Sequence, residues 1–100
     1  MAKFKVEWSV EARLDLRDIL EFYFKRNGTS DYSRKLNKRI NEGTSLIAKN
    51  PLIGVQTDIS DVRALITGDF QIIYLVDKKA IVIVKVWDSR RNPEDKLVIH

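Results

Sequence analysis

Three arginines and a tyrosine in the second half of the chain, Arg63, Tyr74, Arg90 and Arg91, are the residues best suited to chemistry. Arginine matches a phosphate by its charge and by the bidentate fork of its guanidinium. A tyrosine hydroxyl can pass a proton. The remaining repertoire is thin. There are no cysteines, which excludes a thiol nucleophile, thiolate metal sites and disulfides. The single histidine is His100, which also reads as a plain tail residue. No carboxylates fall at metal-ligand spacing, so neither metal nor cofactor is expected. No glycine-rich phosphate loop and no Ser/His/Asp arrangement stands out. Each candidate also has a structural reading. Tyr74 fits a core position with its hydroxyl satisfied. Arg90 and Arg91 can pair with Asp88, Glu94 or Asp95 where Asn92-Pro93 turns the chain.

These residues have to be positioned by a small scaffold. One hundred residues, 44% hydrophobic and 32% charged, predict a single domain over 1–100, with thin stability. No apolar run approaches the ~18 residues of a membrane span and no signal-peptide pattern opens the chain. The simplest expectation is a soluble cytoplasmic domain without a membrane partner. Phe4, Val6 and Trp8 alternate with Lys5 and Glu7, the period of a half-buried strand. Ser9 then caps a helix over 10–26, with Ala12, Leu16, Ile19, Leu20 and Tyr23 on one stripe, and Asn27-Gly28 ends it. Ser30 caps a second helix carrying Tyr32, Leu36, Ile40 and Ile47 on one face. Gly43 lies on that face, where the missing side chain permits close packing.

After a loop over 49–61 the period changes. Val62 to Ile66, Phe70 to Val76 and Ala80 to Trp87 read as strands, joined by connections short enough only for antiparallel neighbours. A polar tail runs from Asp88. The fold class is α+β, in the order β-α-α-β-β-β, with the helical hairpin on one face of a small, mainly antiparallel sheet.

The last two strands are apolar on both faces, with Ile81, Ile83 and Trp87 alternating against Val82, Val84 and Val86. The hairpin covers one face. The other needs the tail residues Leu97, Val98 and Ile99, sheet curvature, or a second chain such as a homodimer partner. Leu14 and Phe22 also lie off the core stripe of the first helix. This apolar surplus points to a partner surface, with scattered exposed hydrophobics as the plain alternative.

The net charge of +4 is unevenly placed. Residues 25–49 carry seven basic residues against Asp31 and Glu42, residues 10–24 are acidic, and the second half is balanced. A solvated helix face with internal pairs explains most of this. The total alone says little about nucleic acid.

Taken in order, these residues resemble the RelE/ParE superfamily, the toxins of type II toxin–antitoxin modules. The resemblance lies in Trp8-Ser9, the Ala12…Asp15-Leu16…Ile19…Tyr23 helix, then Leu36, Ile40, Leu46, Pro51 and Gly54. It continues through Val62-Arg63-Ala64-Leu65 and Phe70-Gln71-Ile72-Ile73-Tyr74 to Trp87-Asp88-Ser89-Arg90-Arg91-Asn92-Pro93. It implies a growth-inhibiting protein neutralised by a cognate, acidic antitoxin, with Leu14, Phe22, Ile81, Ile83 and Trp87 as candidate antitoxin contacts. Two branches of the superfamily differ in target: one cleaves messenger RNA on the ribosome without a metal, the other poisons DNA gyrase. Arg63, Tyr74, Arg90 and Arg91 are the candidate catalytic set for RNA cleavage.

In the ribosome-dependent nucleases an arginine commonly follows the aromatic residue opening the middle strand, and several members use a histidine near the end of the last strand. Here these positions hold Gln71 and Trp87-Asp88. The expectation therefore leans towards gyrase poisoning or another non-nucleolytic action. The endoribonuclease is the alternative, and a degenerate member that only binds its antitoxin and co-represses its operon is a third. An unrelated RNA-binding domain fits less well, because a leading strand followed by a helical hairpin is not the order of the common modules.

Overall fold

The computed structural model describes residues 4–78 and 80–91. Seven elements follow one another: β1 (Lys5–Trp8), α1 (Val10–Asn27), α2 (Asp31–Lys49), β2 (Val55–Gln56), β3 (Val62–Thr67), β4 (Phe70–Asp77) and β5 (Ala80–Asp88). They build a sheet in the order β1-β5-β4-β3-β2, in which β1 runs parallel to β5 and every other pair is antiparallel. The α+β class, the helical hairpin and the antiparallel meander are as expected from the sequence. The two-residue β2 is additional: Val55 and Gln56 pair with Ala64 and Arg63 inside the segment expected to be loop. A pairing this short leaves no periodic signal to read.

Ser9 fixes where α1 begins. Its hydroxyl accepts from the Ala12 amide at 3.0 Å and donates to the Val84 carbonyl, while its own amide donates to the Ile83 carbonyl. One residue therefore caps the helix and ties it to β5. Gly28 closes α1 with φ +73°, a left-handed conformation that glycine takes without strain. Ser30 flanks α2 but makes no side-chain cap bond. The second helix is instead tied to the first by Ser33, whose buried hydroxyl donates to the Leu20 carbonyl at 2.7 Å. Gly43 does permit close approach: a Cβ there would lie 2.7 Å from Ile72 Cδ1.

The main core lies between the helices and the sheet, built from Ala12, Ile19, Tyr23, Leu36, Ile40, Ile47, Phe70, Ile72, Tyr74, Ile81, Ile83 and Val86. A second cluster, Val62, Ala64, Ile73 and Trp87, occupies the opposite face. The division corrects the expected alternation in β5. The register slips between Ile73, opposite Lys85, and Tyr74, opposite Ile83, so Val84 is an extra residue in β5. A bulge of this kind inverts the alternation beyond it. Ile81 and Ile83 consequently point into the main core, fully buried, and only Trp87 of the expected trio lies on the face away from the helices.

Asp88 is also reassigned. It is the last residue of β5, paired with Phe70 and buried, and not the start of a polar tail. The tail positions Asn92, Pro93, Glu94, Asp95, Leu97, Val98, Ile99 and His100 lie outside the described residues.

Candidate functional site

The chain turns sharply at the end of β5, and Asp88 organises the turn. Its carboxylate accepts from the Arg90 amide at 2.9 Å and from the Tyr23 hydroxyl at 2.8 Å, and its carbonyl accepts from the Arg91 amide. The turn directs both arginines back over the C-terminal half of α1. The Arg90 guanidinium lies 5.1 Å from the centre of the Tyr23 ring and 5.9 Å from that of Tyr32, and it donates to the Tyr32 hydroxyl at 3.2 Å. Arg91 lies 4.3 Å from the centre of the Phe22 ring and pairs with Asp18 at 3.2 Å. Beneath them Phe22, Tyr23, Tyr32 and Phe70 meet edge to face, with Tyr23 at the hub.

Arg26, one turn beyond Phe22 on α1, completes the rim of an open cleft of about 400 Å³ lined by Phe22, Tyr23, Arg26, Arg90 and Arg91. A smaller recess of about 140 Å³ adjoins it between Tyr23, Arg26, Asn27, Tyr32 and Arg90. The Tyr23 hydroxyl is a fixed donor here. Burial, and then its bond to Asp88, push its pKa up to about 12, so the proton stays on the phenol at neutral pH. The cleft thus offers stacked guanidinium groups, which recognise carboxylates or phosphates.

The other half of the expected catalytic set is elsewhere. Arg63 and Tyr74 are cross-strand partners on β3 and β4. Tyr74 is four residues along β4 from Phe70, the partner of Asp88, which separates the two groups by about 13 Å of strand. The Tyr74 hydroxyl is buried. It donates to the Pro51 carbonyl at 2.7 Å and accepts from the Gly54 amide at 2.9 Å. Burial raises its pKa, against the opposing influence of the Gly54 amide and Arg63. Arg63 donates to the Gly54 and Leu52 carbonyls. Both side chains therefore fasten the loop after α2 to the sheet. The structure brings Arg90 and Arg91 together and leaves Arg63 and Tyr74 apart from them.

On the face away from the helices, Gln71 and Trp87 stand directly opposite each other on β4 and β5. Both are buried, and neither Gln71 Oε1 nor Trp87 Nε1 has a hydrogen-bond partner among the described residues. Beside them Lys85 stacks on Trp87 and pairs with Glu11 and Asp15, while the Asp15 carboxylate also accepts from the Val86 amide. This group latches the start of α1 to the bulge. Of the expected apolar contacts, Leu14 is exposed and Phe22 is partly exposed beneath Arg91.

Arg26 and the aromatic hub were not expected as site residues. Tyr23 and Tyr32 carry an ordinary core signal at helical spacing, and Arg26 is one of many cations in a basic segment. Only the turn after Asp88, which brings Arg90 and Arg91 onto them, distinguishes these three.

The chain is thus a small α+β domain with a helical hairpin against a five-stranded sheet and a cationic cleft where the last strand meets the first helix. The family described as the ParE toxin of the type II toxin–antitoxin system, parDE, matches residues 6–93, and the chain belongs to it. It is the toxin of a type II toxin–antitoxin module. No individually curated protein matches it.

Among solved structures, the chromosomal ParDE toxin–antitoxin system from P. aeruginosa is similar, with a TM-score of 0.73 and 21% identity over 86% of this chain and 96% of that one. The RelBE2 toxin–antitoxin complex from Mycobacterium tuberculosis is similar with a TM-score of 0.65 and 18% identity, covering 88% and 93%. The YoeB dimer from Staphylococcus aureus gives 0.57 and 22%, covering 84% and 94%. At these identities the likeness concerns the fold. Among the described residues, no helix is long and apolar enough to cross a membrane.

Proposed function

We propose that this toxin is held inactive by a cognate antitoxin and, when free, inhibits growth by poisoning DNA gyrase or by another action that leaves RNA uncut. The similar P. aeruginosa and M. tuberculosis structures, both of toxin–antitoxin systems, support the antitoxin as partner. The observation that carries the non-nucleolytic reading is the engagement of Tyr74 and Arg63. Cleavage at a 2′-hydroxyl needs a proton acceptor and cations converging on one phosphate. Tyr74 and Arg63 instead hold the Pro51–Gly54 backbone, about 13 Å along the sheet from the Arg90–Arg91 turn. Gln71, beside Phe70 on β4, is neutral and buried on the opposite face of the sheet and adds no cation.

The test is inducible expression followed by two readouts. DNA breaks and an induced damage response with intact messages support the proposal, as does gyrase-dependent linearisation of a plasmid by the purified toxin. Messages cut at codon positions overturn it in favour of a metal-independent ribosomal endoribonuclease. The two guanidinium groups of Arg90 and Arg91, which line one cleft, are the observation that favours that second reading. Unimpaired growth on induction identifies a degenerate toxin that acts only through its antitoxin.

A further inference from the structure

We infer that the Arg26–Arg90–Arg91 cleft is the seat of an acidic segment of the antitoxin, a carboxylate side chain entering between Arg26 and Arg90 with an apolar neighbour laid on Phe22. This rests on the reading of the chain as the toxin of a toxin–antitoxin pair.

Three observations choose this occupant. Arg26 is exposed and makes no hydrogen bond or ion pair among the described residues, although the guanidinium groups on either side of it are stacked on rings and held in place. It is therefore a cation with its fork free, facing the Arg90 guanidinium across the recess. Two of the cleft's arginines also have carboxylates beside them, outside its lining. Asp18 pairs with Arg91 at 3.2 Å, Asp69 lies 4.0 Å from Arg90, and both are well exposed.

These carboxylates bear on the choice between a peptide and a nucleic acid. A phosphodiester backbone brings successive charges and meets repulsion from Asp18 and Asp69. A peptide carboxylate can enter singly and exchange with them one for one. Finally, the cleft is not purely polar: the partly exposed Phe22 ring forms one wall, so an apolar side chain next to the carboxylate finds a surface. An alternation of acidic and apolar side chains matches all three features.

The experiment uses the full toxin and the antitoxin encoded by the adjacent reading frame. Binding is measured by calorimetry for the wild type, Arg26→Gln and Arg26→Glu. Arg26 is exposed in the last turn of α1, so both variants are expected to keep the wild-type circular dichroism, with Arg26→Glu melting slightly lower because its anion opposes the helix dipole. The expected result is a weakening of about fivefold for Arg26→Gln. A larger loss is expected for Arg26→Glu, with both differences shrinking as salt is raised.

Equal affinity of Arg26→Glu and wild type overturns the inference while leaving the toxin–antitoxin pair intact. Failure of the wild type to bind the adjacent-frame product overturns the pairing itself, and the inference with it. A parallel titration with a short oligothymidylate separates the remaining case. If Arg26→Glu abolishes oligonucleotide binding with antitoxin affinity unchanged, the cleft is a nucleic-acid site and the inference fails.

Discussion

The Tyr23 hydroxyl and the Asp88 carboxylate meet at 2.8 Å beneath the aromatic–arginine cleft, joining residues 65 positions apart in the chain. The bond links α1 to the end of β5, and the same carboxylate accepts from the Arg90 amide. Removing the phenol hydroxyl leaves a buried carboxylate one donor short. Tyr23→Phe is therefore expected to cost about 1–3 kcal/mol in urea unfolding. Its effect on growth inhibition should resemble that of Arg90→Ala, because the turn it loosens is the one that places the Arg90 side chain.

The same pair gives the protein an alkaline limit. The folded-state pKa of Tyr23, about 12, lies above the ordinary 10.0, so the native state holds this proton more tightly than the unfolded chain does. Its stabilising contribution is complete below pH 10 and is lost as pH rises towards 12. The buried Tyr74 is shifted in the same direction. Stability measured against pH should fall in this window, and ultraviolet titration should show late-ionising tyrosines. In Tyr23→Phe the fall should be shallower.

Tyr74 and Gly54 form a second lock whose parts can be tested separately. Tyr74→Phe deprives the Gly54 amide and the Pro51 carbonyl of their partner, for about 1–3 kcal/mol. Gly54→Ala places a Cβ 2.6 Å from the Tyr74 hydroxyl oxygen and 3.0 Å from the Ala64 backbone carbon, where the strand cannot easily yield. A comparable loss of about 1–3 kcal/mol is expected from overpacking. The two losses should be less than additive, because either change breaks the same bond. If Tyr74 is structural, toxicity of Tyr74→Phe should track its folded fraction. Abolished toxicity in a fully folded Tyr74→Phe protein would place the hydroxyl in the site.

Much of this architecture is legible in the sequence because local signals agree with it. Ser9 and Gly28 bracket α1, and the change of period at Val62 marks the meander. What the sequence hides is non-local. The bulge at Val84 inverts the expected facing of Trp87 relative to Ile81 and Ile83, and only the pairing with β4 reveals it. Asp88 reads as a polar tail residue because its burial depends on the distant Tyr23. The site was half legible. Arg90 and Arg91 stand out as a pair, but Arg26 is hidden in a basic segment until the turn brings them to it. Arg63 and Tyr74 stand out by residue type, but their hydrogen bonds to the loop after α2 depend on a packing that no local pattern shows.

Gln71 offers a test of the sheet face away from the helices. Among the described residues its buried Oε1 has no partner, and neither has Trp87 Nε1 directly across from it. An unpaired buried acceptor destabilises the fold, and an apolar side chain of similar length removes that cost. Gln71→Met is expected to leave stability unchanged or to raise it by up to about 1 kcal/mol. A loss above about 2 kcal/mol in urea unfolding would contradict this and show the amide to be hydrogen-bonded in solution.

The arginine pair should separate fold from action. Arg90 lies over the buried Tyr23 ring and Arg91 over the partly exposed Phe22 ring, and such stacking is worth about 0.5–1 kcal/mol each. The partners Asp18 and Asp69 are largely exposed, so their ion pairs add little. Asp88 is held chiefly by the Tyr23 hydroxyl and by backbone amides, which substitution of the two side chains leaves in place. The double variant Arg90→Ala/Arg91→Ala should therefore fold, with about 1–2 kcal/mol less stability. Its induction should no longer arrest growth. Arrest by the folded double variant, at wild-type protein levels, would remove both arginines from the functional site.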